Sequence, residues 1–260
     1  MHVNEANITN LIALWKIYGS RPISGSTLPL VYANATWPYR CWASWNEEEI
    51  TAGIPKQSDD FAWLNKVPNT AILPVWQLTK VNEHVFAAQY EPLLIEQQLL
   101  DNNWRCTFEQ LAMYMDLRVS SSYLPQSRSG FTVTYAHSFD EIKTWVEIGS
   151  EAFGYAIDRS VIENLLDDEN IQLLLGWQED RAVCCALLYK TGDIIGVHQV
   201  GVKHAFQGQG IARCFMQHII ESCALWQGKY IVLQASQSGQ PLYESLGFKA
   251  QFKIKNYQKV

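Results

Sequence analysis

The sequence is short of several things, and each shortage removes a class of protein. No stretch of the 260 residues approaches the ~20 consecutive apolar residues that span a bilayer. Charged residues make up only 18% of the chain and apolar ones 48%, the reverse of what keeps a chain disordered. Glycine (15) and proline (9) stand at ordinary levels, which excludes collagen-like and low-complexity classes. Positive charge is scarce: 20 Lys and Arg face 26 Asp and Glu, for a formal net charge of -6. A broad nucleic-acid face needs the opposite sign, so no nucleic-acid partner is expected and a cation is the better-matched substrate. Met1 to Asn10 contain no basic segment leading into an apolar one, so neither a signal peptide nor a membrane partner is expected. The expected compartment is the cytoplasm.

Cysteine is present but badly placed for bridges. Cys184 and Cys185 are neighbours in an apolar run, and Cys214 and Cys223 share one helical segment with no room for a mutual bridge. All six, with Cys41 and Cys106, read as free thiols, mostly in the core. Cys214 and His218 are four apart on that helix, but no second pair accompanies them, so no metal is expected. Glu47, Glu48 and Glu49 read as the solvated start of a helix.

At about 100–200 residues per domain, the length fits two small domains or one large one. Pro125-Gln-Ser-Arg-Ser-Gly130 is the most linker-like stretch and divides the chain into residues 1–125 and 126–260. Seven of the ten tryptophans precede it. In the second half, Phe131–Tyr135 alternates like a strand, and Phe139–Phe153 carries helical periodicity. Asp158 reads as the N-cap of a short helix ending at Leu166. Strands are expected over Ile171–Trp177, Ala182–Tyr189, Ile194–Val202, Tyr230–Ala235 and Phe248–Ile254, with helices over Ile211–Trp226 and Pro241–Leu246. This order predicts a layered α/β domain.

The first half is less regular. Ile8–Tyr18 and Val85–Leu100 read as helices; Leu28–Ala33, Arg40–Trp45 and Ala71–Trp76 read as strands. Its end is informative. Leu99 to Trp104, leading into Cys106–Leu117, parallels Leu242 to Phe248, leading into Lys249–Tyr257: short helix, polar turn, aromatic, strand. That self-similarity is compatible with a decayed tandem repeat. The tryptophans read first as core, with part of an acceptor cleft as the alternative.

The sharpest signal is Val200-Gly-Val-Lys-His-Ala-Phe-Gln-Gly-Gln-Gly-Ile-Ala212, a strand, a loop and a helix start. A helix N-terminus presents unpaired N–H groups and partial positive charge, and glycine lets an anion approach the backbone. A nucleoside-triphosphatase loop is excluded, because no Gly-Lys-Ser/Thr is present. A dinucleotide loop would need glycine where Arg213 stands. Glycines alone assign no ligand here, since the turn needs them anyway.

Gln207-x-x-Gly210-x-Ala212 nevertheless resembles the acetyl-coenzyme A motif of the GCN5-related N-acetyltransferase (GNAT) superfamily. Leu233 to Phe248, ending in Leu-Tyr-x-x-Leu-Gly-Phe, is similar to the family's later strand and helix, and Glu151-Ala-Phe-Gly154 to the end of its first helix. The resemblance covers about residues 131–260, with departures at His204 (commonly proline) and Ser236 (often asparagine). It implies a mixed, mostly antiparallel central sheet flanked by helices, and a catalytic second domain beside a degenerate GNAT-like or accessory first one.

It also implies chemistry: acetyl-CoA as co-substrate, no metal, and a small-molecule or peptide amine that attacks the thioester directly. Val200 and Val202 would offer main-chain groups to the pantetheine arm. The amides of Gln207, Gly208, Gln209, Gly210, Ile211 and Ala212 would hold the pyrophosphate, with Ser236 contributing downstream. Tyr243 matches the general acid that protonates the departing thiolate. For the base, His198 is the candidate, placed by period-2 alternation on the face of Val200 and Val202. Asp193 and Glu151 read instead as turn and helix-end residues. The alternative function is an acyl-CoA-binding sensor that transfers nothing. A monomer or a homodimer fits equally.

Overall fold

The computed structural model of the chain describes residues 3–23, 30–44, 58–77, 92–119 and 128–260. Trp45, Glu47–Glu49, the start of the helix expected from Val85, and residues 125–127 of the linker-like stretch lie outside them. The chain forms two compact units that are not contiguous in sequence. One gathers Met1–Leu14, Met113–Gln234 and Gly239–Ala250; the other gathers Trp15–Ala112, Ala235–Ser238 and Gln251–Val260.

In the first unit the local signals act as written. Helix α1 (Val3–Ile17) enters from the chain start. Its buried stripe of Asn7, Asn10, Leu11 and Leu14 has the i, i+3, i+4, i+7 spacing of one helix face. Helix α3 (Phe139–Phe153) opens on a capping box: Ser138 accepts from the Glu141 amide, and the Glu141 carboxylate accepts from the Ser138 N–H. It closes on Gly154 in the left-handed region (φ 71°), and it buries Ile142, Trp145, Ile148 and Gly149. Asp158 caps α4 (Arg159–Glu163), accepting from the Ser160 amide at 3.0 Å; the helix stops short of Leu166. Helix α5 (Ile211–Leu225) buries Ile211, Cys214, Phe215, Ile219 and Cys223, and α6 (Gln240–Ser245) is a single short turn.

Strands β6 (Phe131–Tyr135), β7 (Ile171–Gln178), β8 (Arg181–Thr191) and β9 (Ile194–Val202) pair antiparallel in sequence order. Strand β10 (Tyr230–Ser236) pairs parallel to β9, as a crossover through α5 requires. The sheet is therefore mostly antiparallel with one parallel pair. Its centre is dry: Leu174, Leu175, Val183, Cys184, Cys185, Ala186, Leu187 and Leu188 are fully buried, and the Trp145 indole donates to the Ala186 carbonyl at 3.0 Å.

Two irregularities in this sheet matter. The β9–β10 pairing covers only Ile194↔Tyr230, Ile195↔Ile231 and Gly196↔Val232, after which the strands part. Strand β9 also slips by one residue against β8, from Leu187↔His198 to Cys185↔Gly201, with Gln199 at positive φ (53°). A one-residue bulge inverts the alternation beyond it. His198 thus shares a face with Gly201, and not with Val200 and Val202 as the unbroken period-2 reading placed it.

Helix α1 meets the parting strands with amide side chains. Asn7 Nδ2 donates to the carbonyls of Leu233 (3.4 Å) and Met113 (3.2 Å), and Asn7 Oδ1 accepts from Gln234 Nε2 at 2.7 Å. Asn10 Nδ2 donates to the Tyr189 carbonyl and the Thr191 hydroxyl, both at 3.0 Å.

The second unit has its own core of Val31, Cys41, Phe61, Trp63, Leu64, Leu73, Val75, Leu99, Trp104 and Tyr257. Its elements are β1 (Arg21–Pro22), β2 (Leu30–Ala33) and β3 (Cys41–Ser44) in one antiparallel sheet, a 3-10 helix over Ser58–Lys66, β4 (Leu73–Gln77), and α2 (Pro92–Asp101), which starts at its proline. Strand β11 (Lys249–Lys259) pairs antiparallel with β4, and β5 spans Trp104–Asp116. Trp15, Trp37, Trp42, Trp63 and Trp104 are buried, so they are core residues. Five cysteines are buried and all six are free thiols. No helix among the described residues is long and apolar enough to cross a membrane.

The internal parallel is visible in the backbone. Between α2 and β5, Asn103 takes φ 63° and is followed by the fully buried Trp104; between α6 and β11, Gly247 takes φ 94° and is followed by the buried Phe248.

Gly196 is tied to the approach of α1. A Cβ there would sit 1.9 Å from Asn10 Oδ1 and 2.3 Å from His198 Nε2. Gly196→Ala is expected to lower stability by about 1–3 kcal/mol through overpacking. Urea unfolding measures it, and an unchanged midpoint would show that α1 moves aside at no cost.

Candidate active site

The loop between β9 and α5 is built to expose backbone amides. His204–Phe206 form one 3-10 turn, closed by the Phe206 amide on the Lys203 carbonyl (2.9 Å). Gln207 then runs extended, and Gly210, at φ 79°, caps α5 without a side-chain bond. The first amide of α5 with an intrahelical partner is Cys214, donating to the Gly210 carbonyl at 3.1 Å. The N–H groups of Ile211, Ala212 and Arg213 are therefore the orphan donors of a 15-residue helix. Gln207, Gly208, Gln209 and Gly210 are all exposed. Side chains staple the loop: Gln207 Nε2 donates to the Val202 carbonyl (3.0 Å), and Gln209 Nε2 to the Ala205 carbonyl (2.9 Å). The His204 amide donates to Glu151 Oε1 at 3.0 Å, so Glu151 holds the loop's entrance. The donors match an anionic group such as a pyrophosphate.

Val200 and Val202 lie on the stretch of β9 past its last pairing with β10, and both are partly exposed. Tyr243 sits on α6, partly buried, with its ring edge-on to Phe248 (5.7 Å between centroids). Burial pushes its phenol up to about 12, so it is protonated throughout the neutral range. Among the described residues no side chain hydrogen-bonds its hydroxyl. Ser236 ends β10 in the second unit, exposed, with its hydroxyl 3.2 Å from that of Ser238.

His198 is enclosed. Its Nε2 lies 3.0 Å from Asn10 Oδ1, and because Asn10 spends its amide hydrogens on Tyr189 and Thr191, Nε2 carries the proton. Desolvation lowers its pKa to about 4, against a smaller opposing contribution from the Gln234 side chain. The imidazole is neutral at pH 7. Asp193 is paired with Lys229 at 2.8 Å in the β8–β9 turn. Cys214 is buried, and His218 lies against the Phe131 ring. Among the described residues, no group of three or more metal-ligating side chains is present.

Asn7, Asn10, Gln234 and Arg128 are the participants that sequence reasoning missed. Two asparagines on the apolar stripe of α1 were the available signal for the first pair. Nothing in the sequence marks Arg128.

The neutral imidazole has a thermodynamic consequence. With a folded pKa of about 4 against 6.5 unfolded, the native state binds fewer protons across that window. Stability therefore rises with pH from 4 to 6.5 and is lost as pH falls, by up to about 3 kcal/mol. Unfolding of His198→Gln measured at pH 4.5 and 7 is expected to lack this share of the pH dependence; a slope equal to the wild-type slope would remove the assignment.

The acetyltransferase (GNAT) domain pattern matches residues 135–258. Among functionally curated proteins, no sequence matches this one significantly. Solved structures share the fold. A GCN5-related N-acetyltransferase from Kribbella flavida is 13% identical, with 98% of this chain and 95% of that one covered at a TM-score of 0.69. A GCN5-related N-acetyltransferase from Sphaerobacter thermophilus is 15% identical, covering 88% and 76% at 0.61. A conserved protein of unknown function from Staphylococcus epidermidis is 12% identical, covering 93% and 95% at 0.57. At such identities the likeness is one of fold, and it extends through both halves of the chain. Residues 135–258 of this chain thus match the acetyltransferase (GNAT) domain model, and the chain shares its fold with solved GCN5-related N-acetyltransferases.

Proposed function

We propose that the protein is an acetyl-CoA-dependent N-acetyltransferase that moves the acetyl group to a primary amine of a small molecule or peptide. The observation that carries this reading is the joint presence, within the matched domain, of an exposed amide-rich loop at the start of α5 and a desolvated, protonated tyrosine on α6. The loop amides from Gln207 to Ala212 bind the pyrophosphate. Backbone at Val200 and Val202, free of the β10 ladder, pairs with the pantetheine arm, and Ser236 contributes at the end of β10. The amine attacks the thioester carbonyl, the C–S bond breaks, and Tyr243 gives its proton to the departing thiolate.

His198 is proposed as the proton acceptor for the ammonium. It is already neutral at pH 7, the state an acceptor requires. The catalytic region is assigned to residues 126–260, and residues 1–125 to a degenerate GNAT-like or accessory domain. Six free thiols suit a cytoplasmic setting.

Tyr243→Phe is expected to lower kcat by about tenfold to a thousandfold while leaving acetyl-CoA affinity unchanged. Thiol release over a panel of amines, with calorimetry alongside, checks it. Unchanged turnover removes the acid role, and tight binding without release to any amine points to a sensor.

The pH profile tests His198. Because the acceptor must be deprotonated and its pKa is lowered to about 4, the acid limb of kcat/KM is expected near pH 4. An acid limb centred near 6.5 would assign the proton to another group.

A further inference from the structure

The loop assigned to the pyrophosphate has no charged side chain of its own: Gln207, Gly208, Gln209, Gly210, Ile211 and Ala212 are all neutral. Of the cations that flank the loop in sequence, two make their contacts elsewhere. Arg213 Nη2 donates to the Ser245 hydroxyl at 2.5 Å, and His204 lies beside Glu151. A cation arrives instead from outside the motif. Arg128, just before β6, donates from Nη1 to the Gln209 carbonyl and from Nε to Gln178 Oε1 at 2.8 Å. Its Nη1 lies 3.8 Å from the position a Cβ would take on Gly210, the N-cap of α5. Its main chain is anchored too, the carbonyl accepting from the Phe131 amide at 3.1 Å.

Both acceptors of this guanidinium are neutral amide oxygens. Among the described residues Arg128 has no carboxylate partner, and its Nη2 has no acceptor. A fixed positive charge thus stands against the positive end of a helix, a repulsive arrangement that an anion between them reverses. Arg presents five N–H groups in a rigid fork, and the two bonds to Gln209 and Gln178 orient the remaining ones while using none of its charge.

We infer that Arg128 is a phosphate-binding residue of this site, pairing with the co-substrate's pyrophosphate beside the amides of Gly208 to Ala212. The inference rests on the acyl-CoA reading of the loop and adds the charge that the motif lacks. Its contribution is one charge-assisted contact, expected to change affinity by about tenfold to a hundredfold.

Calorimetry on the full chain with CoA, 3′-dephospho-CoA and pantetheine tests it, using Arg128→Ala and Arg128→Lys. Arg128→Ala is expected to weaken CoA and 3′-dephospho-CoA by the same factor, to leave pantetheine unaffected, and to keep the wild-type melting temperature. Arg128→Lys, which retains charge without the fork, is expected to recover part of the loss. Wild-type affinity for CoA in Arg128→Ala overturns the inference, as does a loss confined to CoA, which would give the 3′-phosphate to Arg128. Failure of the wild-type chain to bind CoA overturns the acyl-CoA reading itself, a separate result from the other two.

Discussion

The first unit depends on how a sheet can be opened without leaving buried polar backbone. Parallel pairing between β9 and β10 ends at Gly196↔Val232, and the groups just beyond would lose partners in a buried setting. Asn7 meets this need, donating to the carbonyl of Leu233, the first residue past the last pair, and to that of Met113. One turn along, Asn10 holds the Tyr189 carbonyl, the Thr191 hydroxyl and the His198 ring. Buried asparagines are costly unless satisfied, and these two are 1% and 0% exposed with hydrogen bonds from both ends of the amide. The first turns of α1 therefore act as a substitute strand edge. They let two strands separate while both stay ordered.

The same constraint explains His198. Its enclosure follows from two local facts: Gly196 leaves space for Asn10, and the bulge at Gln199 redirects the strand beyond. The bulge puts His198 on the face that meets α1 and leaves Val200 and Val202 on the other. Any reaction in which His198 accepts a proton then works through a ring whose Nε2–H is committed to Asn10, leaving Nδ1 as the basic atom. Helix α1 so fixes the state of a ring nearly 200 residues away in the chain.

Most of the second half was legible because its elements carry local signals that agree with their burial. Phe131–Tyr135, Phe139–Phe153 and Ile194–Val202 begin and end where alternation, capping and periodicity place them. The loop before α5 was legible for the same reason, since its turn needs glycine at Gly210, where φ is positive. The rest was written in long-range terms. A bulge shifts register without a glycine to announce it, and here Gln199 takes the strained φ. In the first half, the 3-10 helix over Ser58–Lys66 and the two-residue strand Arg21–Pro22 are too short or too irregular for periodicity to reveal. The asparagines of α1 were visible as residues but not as partners, because their acceptors come from β5, β8 and β10.

Net charge proves a poor guide to the site and a fair one to its surroundings. A formal charge of -6 on the whole chain opposes a polyphosphate ligand. Exposed charges beyond about 10 Å are screened at physiological salt, however, while a helix N-terminus and a guanidinium at contact distance are not. The field at Gly210 is set by unpaired amides and Arg128, all of them local. Net charge therefore says little about which ligand this loop suits, because the groups that decide it act at contact distance and the charges that set the total do not.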